Sequence, residues 1–531
     1  MNYFSNYSYD TIIVGGGITG LFLAYKLKDT GSSILLIESS DRLGGKINTI
    51  RKKGVQYECG AARFHESHTK FISLINDLEL ENDIIQLPKD IDYILRGKKD
   101  FKKSYKTNNN LELDGLLKKA IDNKSKLDKG ILENISFYQY LILLFDHETA
   151  CFIKDSFGYD SELEKLNAYS ALEMFQNDFF KDNNYYVLKR GLSSIIEQLQ
   201  EILSKCGNVT IKMKCSVKDV KEDHILSEND DEYYYQKLIL TIPKEKIVKL
   251  NYFENNQLYN SVESVPLLCI YFKYPKNNVW FKNLKRTITD NYIRHIIPID
   301  YDNGLIMISY TDGKYAKMLE SVHLNGDNFL IKVIHKEIKQ LLGITPPKPD
   351  FISVHYWHDG IHFWKNGINM NDFYHQIIKP SDKEIYVCGE SYSKKQGWIE
   401  GCLETAYDVI KKLPLGKLRL VSDINDCDSE IEKEIVVDSK KLQRYTIQEV
   451  IEKKKWIVLD IDGNKNIYDV TKWMNQHPGG SIIKKGIDAN NHYIDGQGES
   501  PIQLFKKYHS NWVIDKHLMN NPIIPLKGVL I

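Results

Sequence analysis

Two stretches of this chain have the residue types and spacing that a large cofactor requires. Near the N-terminus, Gly15, Gly17 and Gly20 stand in a G-x-G-x-x-G pattern, Gly15-Gly16-Gly17-Ile18-Thr19-Gly20. Gly15 suits a tight turn, Gly17 lets a pyrophosphate approach the backbone, and Gly20 lets a helix pack closely on a strand. The free N–H groups at the start of that helix then face the phosphates. Glu38 can accept from both hydroxyls of an adenosine ribose and disfavours a 2′-phosphate. Near the C-terminus, His477-Pro478-Gly479-Gly480 places an imidazole on a tight turn. Proline fixes φ there, and the glycines permit close approach to a large flat ligand.

The elements needed to hold the first site can be read around it. Thr11-Ile12-Ile13-Val14 is a short buried strand that runs straight into the glycines. Leu21 to Leu27 has helical spacing, and Ile34-Leu35-Leu36-Ile37 is a second strand ending at Glu38. Strand, turn, helix and strand in this order form the context that the glycine pattern needs. The pattern alone does not separate NAD from FAD.

The chain has 531 residues, long enough for about three or four domain-sized units. With 42% hydrophobic and 27% charged residues the composition is globular, and the formal net charge of zero gives no electrostatic case for nucleic acid or an anionic membrane. Eight cysteines are scattered without a Cys-x-x-Cys pair, which argues against an iron–sulfur cluster, a structural zinc or a disulfide framework. Reduced thiols and the absence of a long apolar segment, leader or tail anchor predict a soluble, cytoplasmic protein. Val421 to Lys441, with Asp423, Asp426, Asp428, Glu430, Glu432 and Glu434, reads as a linker. The expected organisation is a large unit over 1–418, a linker over 419–441 and a small unit over 442–531.

Asp41-Arg42-Leu43-Gly44-Gly45-Lys46 resembles the second fingerprint of the flavin amine oxidase superfamily. The resemblance implies FAD, with Arg42 reaching a phosphate and Gly44 and Gly45 letting backbone amides approach the cofactor. Lys46 stands where that family usually has arginine, so the charge survives and the bidentate fork is lost. Further matches follow in family order. Lys189-Arg190-Gly191-Leu192 precedes an amphipathic helix. Val209-Thr210-Ile211 and Ser216-Val217-Lys218-Asp219-Val220 resemble a strand pair in which Val217 would touch the adenine. Ile385-Tyr386-Val387-Cys388-Gly389-Glu390 resembles the final strand, placing Glu390 near the ribityl chain. Gly397-Trp398-Ile399-Glu400-Gly401 opens a helix whose N-terminus, at Ile399, would face the flavin. Cys388 falls at a small-residue packing position, away from covalent flavin attachment. The implied fold class is α/β: a Rossmann-like FAD domain (about 1–62, 190–260 and 380–418) with an α+β substrate domain (about 63–189 and 261–379).

The same family resemblance suggests an amine or amino-acid substrate. Glu58-Cys59-Gly60-Ala61-Ala62-Arg63 looks like the stretch in which L-amino-acid oxidases clamp the substrate carboxylate, and a guanidinium fork matches a carboxylate bidentately. Arg63 either does this, binds an FAD phosphate or pairs inside the core. Trp398 either stands over the substrate or is an ordinary packed indole. Tyr356 and Trp357 either wall the same pocket or belong to the core. Where the family often carries a lysine near flavin N5, Leu268 stands in Val265-Pro266-Leu267-Leu268-Cys269-Ile270-Tyr271-Phe272. That leaves room for a dehydrogenase in place of a fast oxidase. His355, His358 and His362 lie in a strand-like stretch without the carboxylate spacing of a metal site.

Around the C-terminal turn, Trp456-Ile457-Val458, Tyr468-Asp469-Val470-Thr471 and Gly486, Asp488 and Ala489 make the segment similar to cytochrome b5. The resemblance implies a small α+β domain holding haem b, with His477 as one axial ligand and His509, in Tyr508-His509-Ser510, as the other. His492 is the rival for the second position. Two axial histidines leave no open iron position, so such a haem carries electrons. The leading expectation is an FAD-dependent oxidoreductase of an amine or amino acid that passes electrons to a fused haem and an external acceptor. The alternatives are an oxidase that uses oxygen, a degenerate flavoprotein that only binds, and a desaturase-like enzyme with a long apolar tunnel.

Overall fold

The computed structural model describes residues 7–99, 111–176, 184–254, 256–414, 444–453, 456–461, 464–469 and 526–530. It divides into two compact units, Met1–Leu418 and Arg419–Ile531.

The nucleotide lobe of the first unit is built on a seven-stranded sheet. Val209–Lys212, Ile34–Ile37, Ser8–Val14 and Glu232–Leu240 run parallel in that order, with Ile12 opposite both Leu35 and Leu238. Glu232–Leu240 is longer than its neighbours. Its second edge takes His224–Ser227 antiparallel at one end and Ile385–Val387 parallel at the other. Ile12, Ile13, Leu35, Leu36, Leu238, Ile239 and Val387 are all buried, the continuous apolar pattern of parallel strands covered on both faces. The helix Ile18–Leu27 packs with Ser193–Ser204 and with Ile399–Lys412. The two segments read from sequence as one strand pair are not paired. Val209–Lys212 closes one edge of the sheet, and Val217–Val220 lies at the far end against His224–Ser227. Both segments are short and β-branched, and nothing in that pattern records which edge a strand joins.

A second seven-stranded sheet forms the other lobe, in the order Phe351–Trp364, Val262–Lys273, Leu305–Asp312, His295–Asp300, Arg286–Thr289, Ile91–Leu95 and Lys98–Lys99. Its two faces bury different cores. Leu268, Ile270 and Phe272 pack with Leu319, Leu330 and Ile334 of the helices Gly313–Leu324 and Asp327–Leu342. Cys269 and Tyr271 turn the other way, toward Tyr57 and Cys59. A third core, around Phe137, Tyr140 and Phe152, is formed by the helices between Leu113 and Met174.

In the second unit, Arg444–Tyr445, Leu526–Leu530, Asn464–Asp469 and Trp456–Ile461 make a four-stranded sheet in that order. Thr446 and Glu449 close a capping box on the helix Ile447–Glu452, and Val450, Val458 and Ile467 pack together. The linker 419–441 and the histidines at 477, 492 and 509 lie outside the described residues. Among the described residues no helix is long and apolar enough to cross a membrane.

Candidate cofactor and substrate site

The glycines of the N-terminal turn are fixed by what surrounds them. Gly15 has φ +114°, and a Cβ on it would lie 2.6 Å from the Thr241 hydroxyl. A Cβ on Gly20 would lie 1.9 Å from the Gly15 carbonyl oxygen, so only glycine lets this helix meet the turn. Gly17 differs: a Cβ there meets nothing within 4 Å, which is the open space a pyrophosphate against the backbone needs. The second fingerprint docks onto this turn. Gly44 N–H donates to the Gly16 carbonyl (2.8 Å), and Gly17 and Gly44 form a parallel bridge.

Glu38 is tied into the same turn. Its Oε2 accepts from Gly16 N–H and its Oε1 from Ser40 N–H, each at 2.8 Å. Its own carbonyl accepts from Cys215 N–H (2.9 Å), two residues before Val217. The carboxylate is held at the C-terminal end of its strand, where the ribose of a dinucleotide is bound in such folds. Arg42 sits differently from the phosphate contact expected of it. Its guanidinium donates to the carbonyls of Gly45 (2.6 Å), Leu43 (3.2 Å) and Ile47 (3.3 Å), and so braces the loop that carries Gly44 and Gly45.

Lys46 and Glu390 are brought together across the molecule. Lys46 Nζ donates to the Gly360 carbonyl (2.7 Å) and pairs with Glu390 (3.1 Å). Glu390 also accepts from the backbone N–H groups of His362 (3.0 Å) and Gly397 (3.1 Å). The fully buried His362 ring lies between Glu390 (Nδ1, 2.8 Å) and Glu245 (Nε2, 2.9 Å). Burial alone would lower its pKa, but the two carboxylates outweigh that and raise it to about 9. His362 is therefore an imidazolium that donates from both nitrogens, and Lys46, His362, Glu390 and Glu245 form a charge-balanced quartet. Burial opposes ionisation of Glu390, yet Lys46 and His362 hold it well below the usual carboxylate range. His355 lies elsewhere, near Ser353 (2.8 Å) and the Cys59 thiol (3.4 Å), and His358 faces Asp359 at the surface. The quartet was missed in the sequence because Glu245 is 117 positions from His362.

A second group joins Arg63 to Trp398. The Arg63 guanidinium lies 5.0 Å from the ring centre of Tyr185, which stacks on Trp398 at 6.2 Å. His68 meets the indole edge-on at 4.8 Å. Trp398 is the N-cap residue of the helix Ile399–Lys412, so the indole and Ile399 stand at one helix start. Glu400 caps a different helix: its carboxylate accepts from Lys70 N–H (3.1 Å) and Phe71 N–H (2.9 Å) at the start of Thr69–Asp77. The structure brings together Arg63, Tyr185, His68 and Trp398, of which Tyr185 and His68 were not legible as site residues in the sequence.

Tyr356 does not join them. It packs with the core of Leu268, its register partner, toward the two covering helices. Its neighbour Trp357 faces the other way and donates from the indole to the Cys59 carbonyl (2.6 Å). Leu268 is likewise turned away from the Lys46 side. Leu267 is the residue of that strand beside Gly360, whose Cβ position is 2.5 Å from the Leu267 Cβ. Alternation along a strand makes an error of one residue an error of face.

The glycine cradle and the tethered Glu38 have the geometry of a dinucleotide-binding lobe, joined to a second lobe. Residues 18–409 match the family described as flavin containing amine oxidoreductase, and the chain belongs to that family. It is an FAD-dependent oxidoreductase. It is 23% identical over 394 residues to coproporphyrinogen III oxidase of Staphylococcus aureus, spanning 62% of this chain and 83% of that protein. The flavin-containing amine oxidase B of Rattus norvegicus is 34% identical over 90 residues, only 17% of either chain. Among solved structures, a putrescine oxidase double mutant shares the fold with a TM-score of 0.62 at 17% identity, covering 76% of this chain and 99% of its own.

Proposed function

We propose that the protein oxidises an amine or amino acid with FAD and hands the electrons on through its C-terminal unit. The observation that carries the first half is the Arg63, Tyr185 and Trp398 array at the start of the helix Ile399–Lys412. FAD, when bound, supplies a hydride acceptor. Gly17 and Gly45 would admit its pyrophosphate, Glu38 its ribose and Val217 its adenine. The quartet would fix Glu390 beside the ribityl chain. Arg63 would orient the substrate, and Tyr185 and Trp398 would wall the pocket and exclude water. Leu267, the residue of the strand Val262–Lys273 beside Gly360, supports an acceptor other than oxygen. For the second half the support is the His477-Pro478-Gly479-Gly480 turn with His509, which would hold haem b and supply one-electron transfer.

The test is anaerobic addition of amino acids and of amines to the purified protein, followed by absorbance. Bleaching of the flavin bands by one of these classes, followed by a reduced-haem band, is the expected result. A flavin that no amine or amino acid bleaches would sink the substrate reading. Bleaching with an unchanged haem band would sink the relay.

A further inference from the structure

In the second lobe, two half-buried arginines have no carboxylate in ion-pair contact among the described residues: Arg63 and Arg286. Arg294 is compensated: it pairs with Asp160 (2.8 Å) and Asp155 (3.4 Å) and donates to the Thr289 carbonyl (3.0 Å). Arg63 and Arg286 are not. Arg63 makes one long hydrogen bond, to the Tyr159 hydroxyl (3.4 Å), and lies over Tyr185. Arg286 has its Nε buried with no hydrogen-bond partner. The two guanidiniums share Tyr159 and Tyr185 as neighbours, and the nearby carboxylate that feels Arg63 is Glu162. Half-buried guanidinium donors that meet no carboxylate directly are free to take one from a ligand.

His295 completes the group. It is fully buried, and neither ring nitrogen has a hydrogen-bond partner. Its register partner across the strands is Ile288, and Arg286 lies two residues before that, so Arg286 and His295 project from the same face of the sheet. The ring packs 4.6 Å from Tyr159 and 6.1 Å from Tyr310. Gly158, at φ +78°, leaves the space the ring fills, since a Cβ there would lie 2.4 Å from Nε2. Burial, then Arg286, Arg63 and Arg294, keep the imidazole neutral, with one nitrogen free to donate. Unmet donors on two arginines and a histidine around one pair of tyrosines are a site waiting for acceptors.

We propose that Arg286 and His295 form, with Arg63, a pocket for a carboxylate of the substrate, so that the protein acts on acids and rejects simple amines. A carboxylate between the two guanidiniums takes up their unmet donors. A cationic amine in the same place would add a third positive charge. This rests on the proposed oxidation at the flavin and narrows its substrate class to carboxylate-bearing molecules. Arg286 would be a specificity residue, and His295 a neutral donor behind it.

The test uses the full-length, FAD-loaded protein and three probes at one ionic strength: benzoate, benzylamine of the same shape but opposite charge, and inorganic phosphate. Binding is read from the flavin difference spectrum and from the thermal midpoint. Benzoate is expected to bind saturably and benzylamine not to bind. Arg286→Met should weaken benzoate roughly 10- to 100-fold, the range for loss of hydrogen bonds to a charged group, with FAD content unchanged. Arg286→Lys keeps the charge without the fork and should fall between the two; it carries the test should the methionine variant not fold. Unchanged benzoate affinity in these variants, or benzylamine binding as well as benzoate, would overturn the proposal. Phosphate binding as tightly as benzoate would make this an inorganic anion site and overturn it too. A flavin that binds benzoate but that no amine or amino acid bleaches would instead sink the proposed oxidation beneath it.

Discussion

An imidazole clamped between Glu245 and Glu390 makes the stability of this protein depend on alkaline pH. The pKa of His362 is raised to about 9 from an ordinary 6.5, so its ion pairs contribute fully below the lower value and are lost as pH rises through the upper one. The shift corresponds to roughly 3–4 kcal/mol at most. Its partner Glu245 is held down at about 2, and that contribution has the opposite sense: it is present above the ordinary carboxylate value and lost as pH falls toward 2. Urea midpoints measured from pH 6 to 10 should therefore decline more steeply for the wild type than for His362→Gln. Parallel declines would show that the ring carries no extra proton in the folded state. The residues of the quartet illustrate what a sequence hides. Lys46 and Glu390 were each singled out by a motif, but their contact spans 344 positions. His362 was legible only as one of three histidines in an aromatic strand, because the carboxylates that give it a role come from other elements.

At the scale of elements, the strand, turn, helix and strand of the nucleotide lobe were fully legible, since four consecutive elements and three glycines must agree to make that turn. Faces and edges were not. Leu268 and Tyr356 pack toward the covering helices, while Leu267 and Trp357 turn to the opposite side, and one residue separates the two outcomes. The helix Thr69–Asp77 shows a further limit. It begins at His68, which offers no side-chain cap, and nothing nearby in sequence replaces one. The cap comes from Glu400, 330 positions away, whose carboxylate takes the N–H groups of Lys70 and Phe71. That tie also fixes His68 against Trp398. Glu400→Ala is expected to cost about 1–2 kcal/mol, the usual worth of a lost cap whose donors are left buried. It should also shift the emission of Trp398, which loses a fixed neighbour. Glu400→Gln retains an acceptor and should cost less. An alanine variant with wild-type melting and emission would show that the helix start needs no partner.

At the scale of the whole molecule, the two compact units, Met1–Leu418 and Arg419–Ile531, set what a covalent connection can do. Between free proteins, electron transfer depends on collision and slows with dilution. A tethered partner has an effective concentration on the order of millimolar, whatever the bulk value. If the proposed haem b in the second unit is the outlet for the first, reduction of the haem after reduction of the flavin should be first order. Its rate constant should stay the same when full-length protein is diluted about a hundredfold, far below that effective concentration. Stopped-flow absorbance at the flavin and haem bands, without oxygen, measures this directly. His477→Ala removes one proposed axial ligand and on the relay proposal should abolish the haem band while leaving flavin content and substrate bleaching as in the wild type. A rate constant that falls in proportion to dilution would mean that electrons leave one molecule for another, and the fusion would then need a different explanation from electron transfer within one chain.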